Sequence, residues 1–314
     1  MKIILVTPSA GGSRTGNRNT ACRWAGFLRR LGHRVDIQVE WNGAPADLML
    51  ALHARRSHES IRRFAETYPG RPLILALTGT DLYRDIRHDA AARRSMQLAT
   101  RMIVLQERGL LELEPLLRKK TRIIYQSAPA SRPQPRLKTR FQACVIGHLR
   151  EEKDPFRCAY ALRYLPNTSK IRVIHLGGAL SPVMAEEAQA LMHEDKRYRW
   201  LGNRPHWLAT KKLASSHVMV ISSLMEGGAN VICEALAAGV PVIASDIAGN
   251  IGMLGADYAG YYPCGDEQAL AKLLWRTESD AVFYAQLQAQ CAARRPLFTP
   301  EQESAGLENL LAEL

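Results

Sequence analysis

The sequence predicts an α/β protein built from two Rossmann-like units, and three observations carry that expectation. Short β-branched or Leu-rich runs alternate with longer amphipathic stretches, the pattern of strands joined by crossover helices over a parallel sheet. A polar, proline-rich stretch without periodicity, APASRPQPRLKTR at 128–140, interrupts the alternation once, and the pattern then resumes. The length of 314 residues suits about two domains of ordinary size, each able to bury its own core.

In the first half the strand candidates are 2–8, 35–40, 48–52, 72–77, 102–105 and 122–126. A helix is expected over 19–31, where Trp24, Phe27, Leu28 and Leu31 recur at helical spacing before Gly32. In the second half the candidates are 142–147, 172–176, 218–221, 240–245 and 261–263, followed by a helical stretch from about 268 to 314 that breaks at 296–300. The expected organisation is a first domain over 1–130, a linker over 131–140, a second domain over 141–295 and a terminal helix over 296–314 that packs back on the first domain. Two such units would place the C-terminal ends of their strands across a shared cleft, where ligands of doubly wound sheets bind.

Hydrophobic residues make up 46% and charged residues 23%, which excludes a largely disordered chain. No apolar run approaches the ~20 residues of a membrane span. The stretch Met1–Val6 is too short for a signal peptide and leads into a turn, so a cytoplasmic protein is expected. Lys and Arg number 42 against 30 Asp and Glu, a net charge of +12 that implies an anionic partner. The six cysteines are scattered without a C-x-x-C, which signals neither a disulfide framework nor a zinc site.

The most specific segment is Ser222-Ser223-Leu224-Met225-Glu226-Gly227-Gly228-Ala229-Asn230-Val231-Ile232-Cys233-Glu234, continued by Ala235-Leu236-Ala237-Ala238-Gly239-Val240-Pro241-Val242. Glu226 falls in a Gly-containing loop after a strand, and Glu234 in the helix that follows. A helix starting near Asn230 would aim free N–H groups and a partial positive charge at a phosphate. Gly227 and Gly228 would let a ligand approach the backbone. An ionised carboxylate such as Glu234 accepts only, and can take both hydroxyls of a ribose.

This pattern, Glu-x7-Glu followed by Glu-Ala-x-Ala-x-Gly-x-Pro-Val, resembles the donor-site signature of the retaining GT-B glycosyltransferases of family 4. The resemblance implies a GT-B fold and metal-independent glycosyl transfer without a cofactor, in keeping with the absence of any Asp-x-Asp pair. In that family an Arg and a Lys at the start of the second domain clamp the nucleotide diphosphate. The matching stretch here is Gly147-His148-Leu149-Arg150-Glu151-Glu152-Lys153-Asp154-Pro155. Lys153 falls on the family lysine; the arginine position holds His148, so that role goes to His148 or to the nearby Arg150. Fixed cations at this place would stabilise a departing diphosphate.

Three loops of the first half complete the expected site. The loop Gly11-Gly12-Ser13-Arg14-Thr15-Gly16-Asn17-Arg18 nearly spells a phosphate-binding P-loop, but Asn17-Arg18 replace the Lys-Ser/Thr pair, which argues against ATP hydrolysis. Its glycines, arginines and helix start still suit a small phosphate-like anion or the donor's diphosphate; Gly12 is assigned to the donor, and Arg14, Thr15, Asn17 and Arg18 to the acceptor. His53 ends one strand with Arg55 and Arg56 behind it, and Leu77-Thr78-Gly79-Thr80-Asp81 ends another. His53 is either a satisfied core histidine or a site residue, and Asp81 either a helix cap or a site residue.

Together with His-Leu-Arg-Glu-Glu-Lys-Asp-Pro and Glu-Gly-Gly-Ala-Asn-Val, these loops resemble the selenosugar synthases of bacterial selenoneine biosynthesis. That resemblance, from residue 1 to about 300, implies transfer of a hexose from UDP-N-acetylglucosamine or UDP-glucose to selenophosphate. Its implied catalytic set is Glu226, His53, Lys153 and Arg150. Glu234, His148, Arg150, Lys153, Gly227, Gly228, Ala229, Asn230 and Gly12 would hold the donor. Arg14, Thr15, Asn17, Arg18, His53, Arg55, Thr80 and Asp81 would hold the acceptor. A family 4 enzyme with a hydroxyl or lipid-linked acceptor is the nearest rival, but it would normally carry an apolar membrane-facing patch where this chain has a basic, polar loop. A nucleic-acid-binding protein fits the charge and the pI of 9.6. Against it, the cations are dispersed, with no recognition helix or zinc-finger spacing. No nucleic-acid or membrane partner is therefore expected.

Overall fold

Leu48–Leu52 and Leu73–Leu77 are buried along their whole length, as strands must be in a parallel sheet covered on both faces. A computed structural model describes residues 1–12, 15–131, 134–136 and 138–314. They form two units: Met1–Ser127 with Glu226–Asn230 and Pro300–Leu314, and Ala128–Met225 with Val231–Thr299. Arg132, Pro133 and Leu137, part of the expected linker, lie outside the described residues.

The first unit's strands are β1 (Lys2–Val6), β2 (Arg34–Gln38), β3 (Leu48–Leu52), β4 (Leu73–Leu77), β5 (Arg101–Val104) and β6 (Thr121–Ile123), all parallel, in the order β2-β1-β3-β4-β5-β6. Alternation along each strand sends side chains to two cores. Ile4, Val6, Met49, Ala51, Leu73 and Leu75 meet Trp41 and Phe64 on one face. Ile3, Leu5, Leu48, Leu50, Ile74 and Ala76 meet Trp24 and Leu28 on the other.

The helix Gly16–Arg30 covers that second face and starts three residues before the expected 19. Its N-cap is Thr15, whose hydroxyl oxygen accepts from the Arg18 N–H at 3.4 Å. Beside it lies Pro300–Ala312, whose Leu307 and Leu310 join the same core. A buried carboxylate ties this last helix down. Glu303 accepts from Arg23 Nε at 2.7 Å, Trp24 Nε1 at 2.6 Å and the Ser127 N–H at 2.9 Å, and also from the Ser127 hydroxyl.

The second unit's strands are β7 (Phe141–Ile146), β8 (Ile171–Leu176), β9 (Tyr198–Trp200), β10 (Val218–Ile221), β11 (Val242–Ser245) and β12 (Tyr261–Tyr262). They too are all parallel, in the order β12-β11-β10-β7-β8-β9. Sequence patterning passes over β9, whose three residues, Tyr-Arg-Trp, offer no apolar run. The expected C-terminal helical stretch is cut once more, at Asp280, which ends Glu267–Ser279 and caps Ala281–Arg294 by accepting from the Phe283 N–H at 2.9 Å. All six cysteines are free thiols. Among the described residues no helix is long and apolar enough to cross a membrane.

Candidate active site

In a doubly wound sheet the ligand crevice opens where the strand order reverses, at the carboxyl ends of the strands. In the second unit the chain builds outward from β7 through β8 to β9, then returns to lay β10 on the other side of β7. The loops after β7 and β10 therefore flank the reversal, and they carry the Gly147–Asp154 and Ser222–Glu226 motifs.

These loops are joined by hydrogen bonds. The Ser222 hydroxyl donates to the carbonyls of Asp154 at 2.7 Å and Lys153 at 3.2 Å, and the Leu224 N–H donates to Glu152 O at 2.9 Å. A pocket opens between them, lined by Gly147, His148, Lys153, His175, Ser222 and Ser223 among others. Lys153 runs past Gly147, with its Cδ 3.9 Å from where a Cβ on that glycine would stand. His148 accepts the Gly178 N–H on Nδ1 at 3.1 Å, so the neutral ring carries its proton on Nε2 as a donor. Arg150 is exposed and is not among the lining residues.

Behind the pocket, backbone meets backbone at Gly177, where φ is +155° and an added Cβ would stand 1.7 Å from Gly147 O. The same carbonyl receives His175 Nε2 at 3.2 Å, and His175 Nδ1 meets Tyr198 Oη at 3.0 Å. Full burial lowers the His175 pKa to about 4, so the ring is neutral at pH 7. Nothing in the sequence marks this histidine, which sits inside a strand.

Asn230 begins the helix Asn230–Ala237, as expected. Its Oδ1 is buried and has no hydrogen-bond partner among the described residues. One turn later Glu234, its side chain 20% exposed, accepts from or shares a proton with His206 Nε2 at 3.0 Å through Oε1. His206 starts the helix His206–Ala214 and was not signalled by any motif.

The first unit reverses its strand order between β1 and β3. In the loop after β1, Gly12 and Thr15 are exposed and Asn17 and Arg18 half-buried in the first turn of Gly16–Arg30. The Thr15 hydroxyl donates to Ser9 Oγ at 2.7 Å. Arg14, expected among the acceptor ligands, lies outside the described residues.

After β3, His53 is 2% exposed and adopts φ +75°, a left-handed conformation that costs a non-glycine residue about 1–2 kcal/mol. Its Nδ1 accepts the Arg56 N–H at 3.3 Å, which leaves Nε2 to donate to Thr80 Oγ1 at 3.1 Å. Asp81 and Asp85 each approach the ring to 4.0 Å. Burial outweighs their pull and lowers the His53 pKa.

Three expectations change here. Asp81 neither caps the following π-helical turn, Asp81–Asp85, nor presents itself to a ligand. It is fully buried, and its carboxylate accepts the N–H groups of Thr78 at 3.0 Å, Gly79 at 2.8 Å and Ala54 at 2.9 Å. Arg55 is engaged by a residue the sequence did not single out, Asp85, at 2.8 Å. Gly227 and Gly228 make room for the protein itself: a Cβ on Gly227 would stand 2.4 Å from Thr78 O, and one on Gly228 2.6 Å from Leu105 Cβ.

Glu226, grouped with this unit, is 9% exposed, and Ala229 is buried. The Glu226 charge helps raise the pKa of Tyr83, though burial is the larger cause; the Tyr83 oxygen accepts from Gln106 Nε2 at 2.6 Å.

Residues 127–294 match the family model described as glycosyl transferases group 1. No curated protein sequence matches the chain. Among solved structures, Alr3699/HepE of Anabaena in complex with UDP and glucose superposes with a TM-score of 0.79 at 17% identity, over 100% of both chains. The same protein with UDP-glucose gives 0.79 at 16%, again over 100% of both. Sucrose-phosphate synthase (tll1590) of Thermosynechococcus elongatus gives 0.80 at 16%, over 99% of this chain and 98% of that one. At such identities the likeness is one of fold, and the fold is that of the GT-B glycosyltransferases.

Proposed function

The chain belongs to the group 1 glycosyl transferases, and from that premise we propose that it transfers a hexose from a UDP-sugar to selenophosphate. The observation that carries the donor half is the pocket at the β7/β10 reversal. There Lys153 and His148 line one wall, and Ser222 fastens the two loops together. On this reading Lys153 offsets the charge of the diphosphate and the neutral His148 donates its Nε2–H to it, Glu234 accepts the ribose hydroxyls, and Glu226 acts near the transferred sugar. Pocket lining favours His148 over Arg150 in the place of the family arginine.

The acceptor half rests on the resemblance of the Gly11–Arg18, His53–Arg55 and Thr78–Asp81 loops to those of selenosugar synthases. Thr15, Asn17 and Arg18 would receive the selenophosphate, with the Thr80 hydroxyl, held by the His53 Nε2–H, as a further donor. The C1–O bond to the β-phosphate breaks with its electron pair leaving on UDP, and a lone pair on anionic selenium forms the C1–Se bond. Water then cleaves Se–P to give inorganic phosphate and the 1-seleno sugar. A soft selenium anion needs no strong general base, so the enzyme's work is positioning and stabilising the leaving diphosphate. The sequence contains no Asp-x-Asp pair, and we assign a metal-independent transfer in the cytoplasm.

The test is to incubate the protein with UDP-GlcNAc or UDP-glucose and selenophosphate, with thiophosphate in parallel, following UDP release and product mass. The expected result is UDP release with a 1-seleno or 1-thio sugar, undiminished after EDTA. UDP release with hydroxyl acceptors alone would return the acceptor to the ordinary family class. Activity abolished by EDTA and restored by Mg²⁺ would overturn metal independence.

A further inference from the structure

We infer that His206 is a positioning residue for the donor: its imidazole holds the Glu234 carboxylate in the orientation that receives the ribose hydroxyls. The inference rests on the reading of Glu234 as the ribose ligand. Glu234 stands on the helix Asn230–Ala237, and its carboxylate has three side-chain torsions to fix before both oxygens can face one diol. Among the described residues, His206 is its one side-chain partner, Nε2 to Oε1 at 3.0 Å.

His206 comes from a different helix, and that helix start is itself fixed. The Pro205 carbonyl accepts the N–H groups of Leu208 at 3.0 Å and Ala209 at 3.2 Å, and the proline ring restrains the backbone just before the histidine. The histidine side chain is 67% exposed and that of Glu234 20% exposed, so burial does not force them together; the hydrogen bond does. One lone pair of Oε1 goes to the imidazole. The other, with both on Oε2, remains to accept the two hydroxyls. Glu234 also raises the His206 pKa, chiefly through this hydrogen bond, which is the direction expected if the ring donates.

The experiment measures binding of UDP and of 2′-deoxy-UDP by calorimetry to the intact wild-type protein and to His206→Ala, His206→Gln and Glu234→Gln. The expected result is that H206A weakens UDP binding roughly 5-fold, the worth of one such hydrogen bond, while 2′-deoxy-UDP binding changes less than about twofold. H206Q, which keeps an N–H donor, restores most of the difference. In turnover H206A raises the donor KM and leaves kcat in place. A merely structural role would weaken both nucleotides alike, and that result, or unchanged UDP binding in H206A, overturns the inference. If E234Q erases the discrimination between the nucleotides and H206A does not, positioning alone fails. If E234Q leaves the discrimination intact, the ribose reading fails and the inference falls with it.

Discussion

The two sheets have the same size and the same parallel pairing, yet they reverse at different places and secure their strand-end loops by different means. In the first unit the reversal lies between β1 and β3, and the loops there are tied by buried charge: Asp81 collects three amides, and Asp85 takes Arg55 and Arg84. In the second unit the reversal lies between β7 and β10, and the loops are held by a serine hydroxyl and by glycine backbones in contact. A loop fixed by its own carboxylates has fewer of them left for a ligand. One fixed largely through backbone contacts spends fewer carboxylates on itself, Asp154 with Arg157 at 2.8 Å being one, which is why the second unit presents the more legible motif.

That contrast can be broken most severely at Gly177. A methyl group there meets Gly147 O at 1.7 Å, so Gly177→Ala should cost more than about 4 kcal/mol and show as loss of soluble, cooperatively unfolding protein. Lys153→Ala should leave the fold intact and lower kcat about 10²–10³-fold, the usual cost of removing one charge-stabilising donor; unchanged turnover in a UDP-release assay would remove this lysine from the mechanism. In the first unit Glu303→Ala strands Arg23, Trp24 Nε1 and Ser127 without their acceptor, and should cost about 3 kcal/mol. Faster hydrogen exchange across Pro300–Ala312 would be its local signature.

The smallest effect is one of pH. His175 titrates near 6.5 when unfolded and about 4 when folded, so between those values the unfolded state binds more protons and stability falls as pH falls. From pH 7 to 5 this amounts to about 2 kcal/mol. Urea unfolding at a series of pH values should show a shallower slope for His175→Gln than for the wild type. Equal slopes would mean that the ring is not held neutral.

Both sheets were legible because β3, β4 and β10 are continuous apolar runs, whereas β9 was missed because three residues, one of them Arg199, carry no pattern. The motif loops after β7 and β10 were legible because Glu226, Glu234 and Lys153 are set at fixed spacing in one stretch each. His206 was not, because its partner lies 28 residues away on another helix. Asp85 escaped notice because a carboxylate inside a polar run looks the same in sequence whether it is solvated or buried. Gly227 and Gly228 were visible as glycines, but which neighbour requires them is a property of tertiary packing alone.

The Glu303 clasp also sets a timetable. The groups that it joins, Arg23, Trp24 and Ser127, leave the ribosome well before the carboxylate does, with the whole second unit made in the interval. At 5–20 residues per second that is about 10–35 s during which one face of the first sheet is covered by Gly16–Arg30 without Pro300–Ala312 beside it, and the Trp24 indole N–H lacks its carboxylate acceptor. The second unit, lying within 128–299, has all of its strands first. The unit whose strands are made before those of the other should thus be completed after it, and a nascent-chain pulse-proteolysis experiment should find it the more fragile until residue 303 emerges.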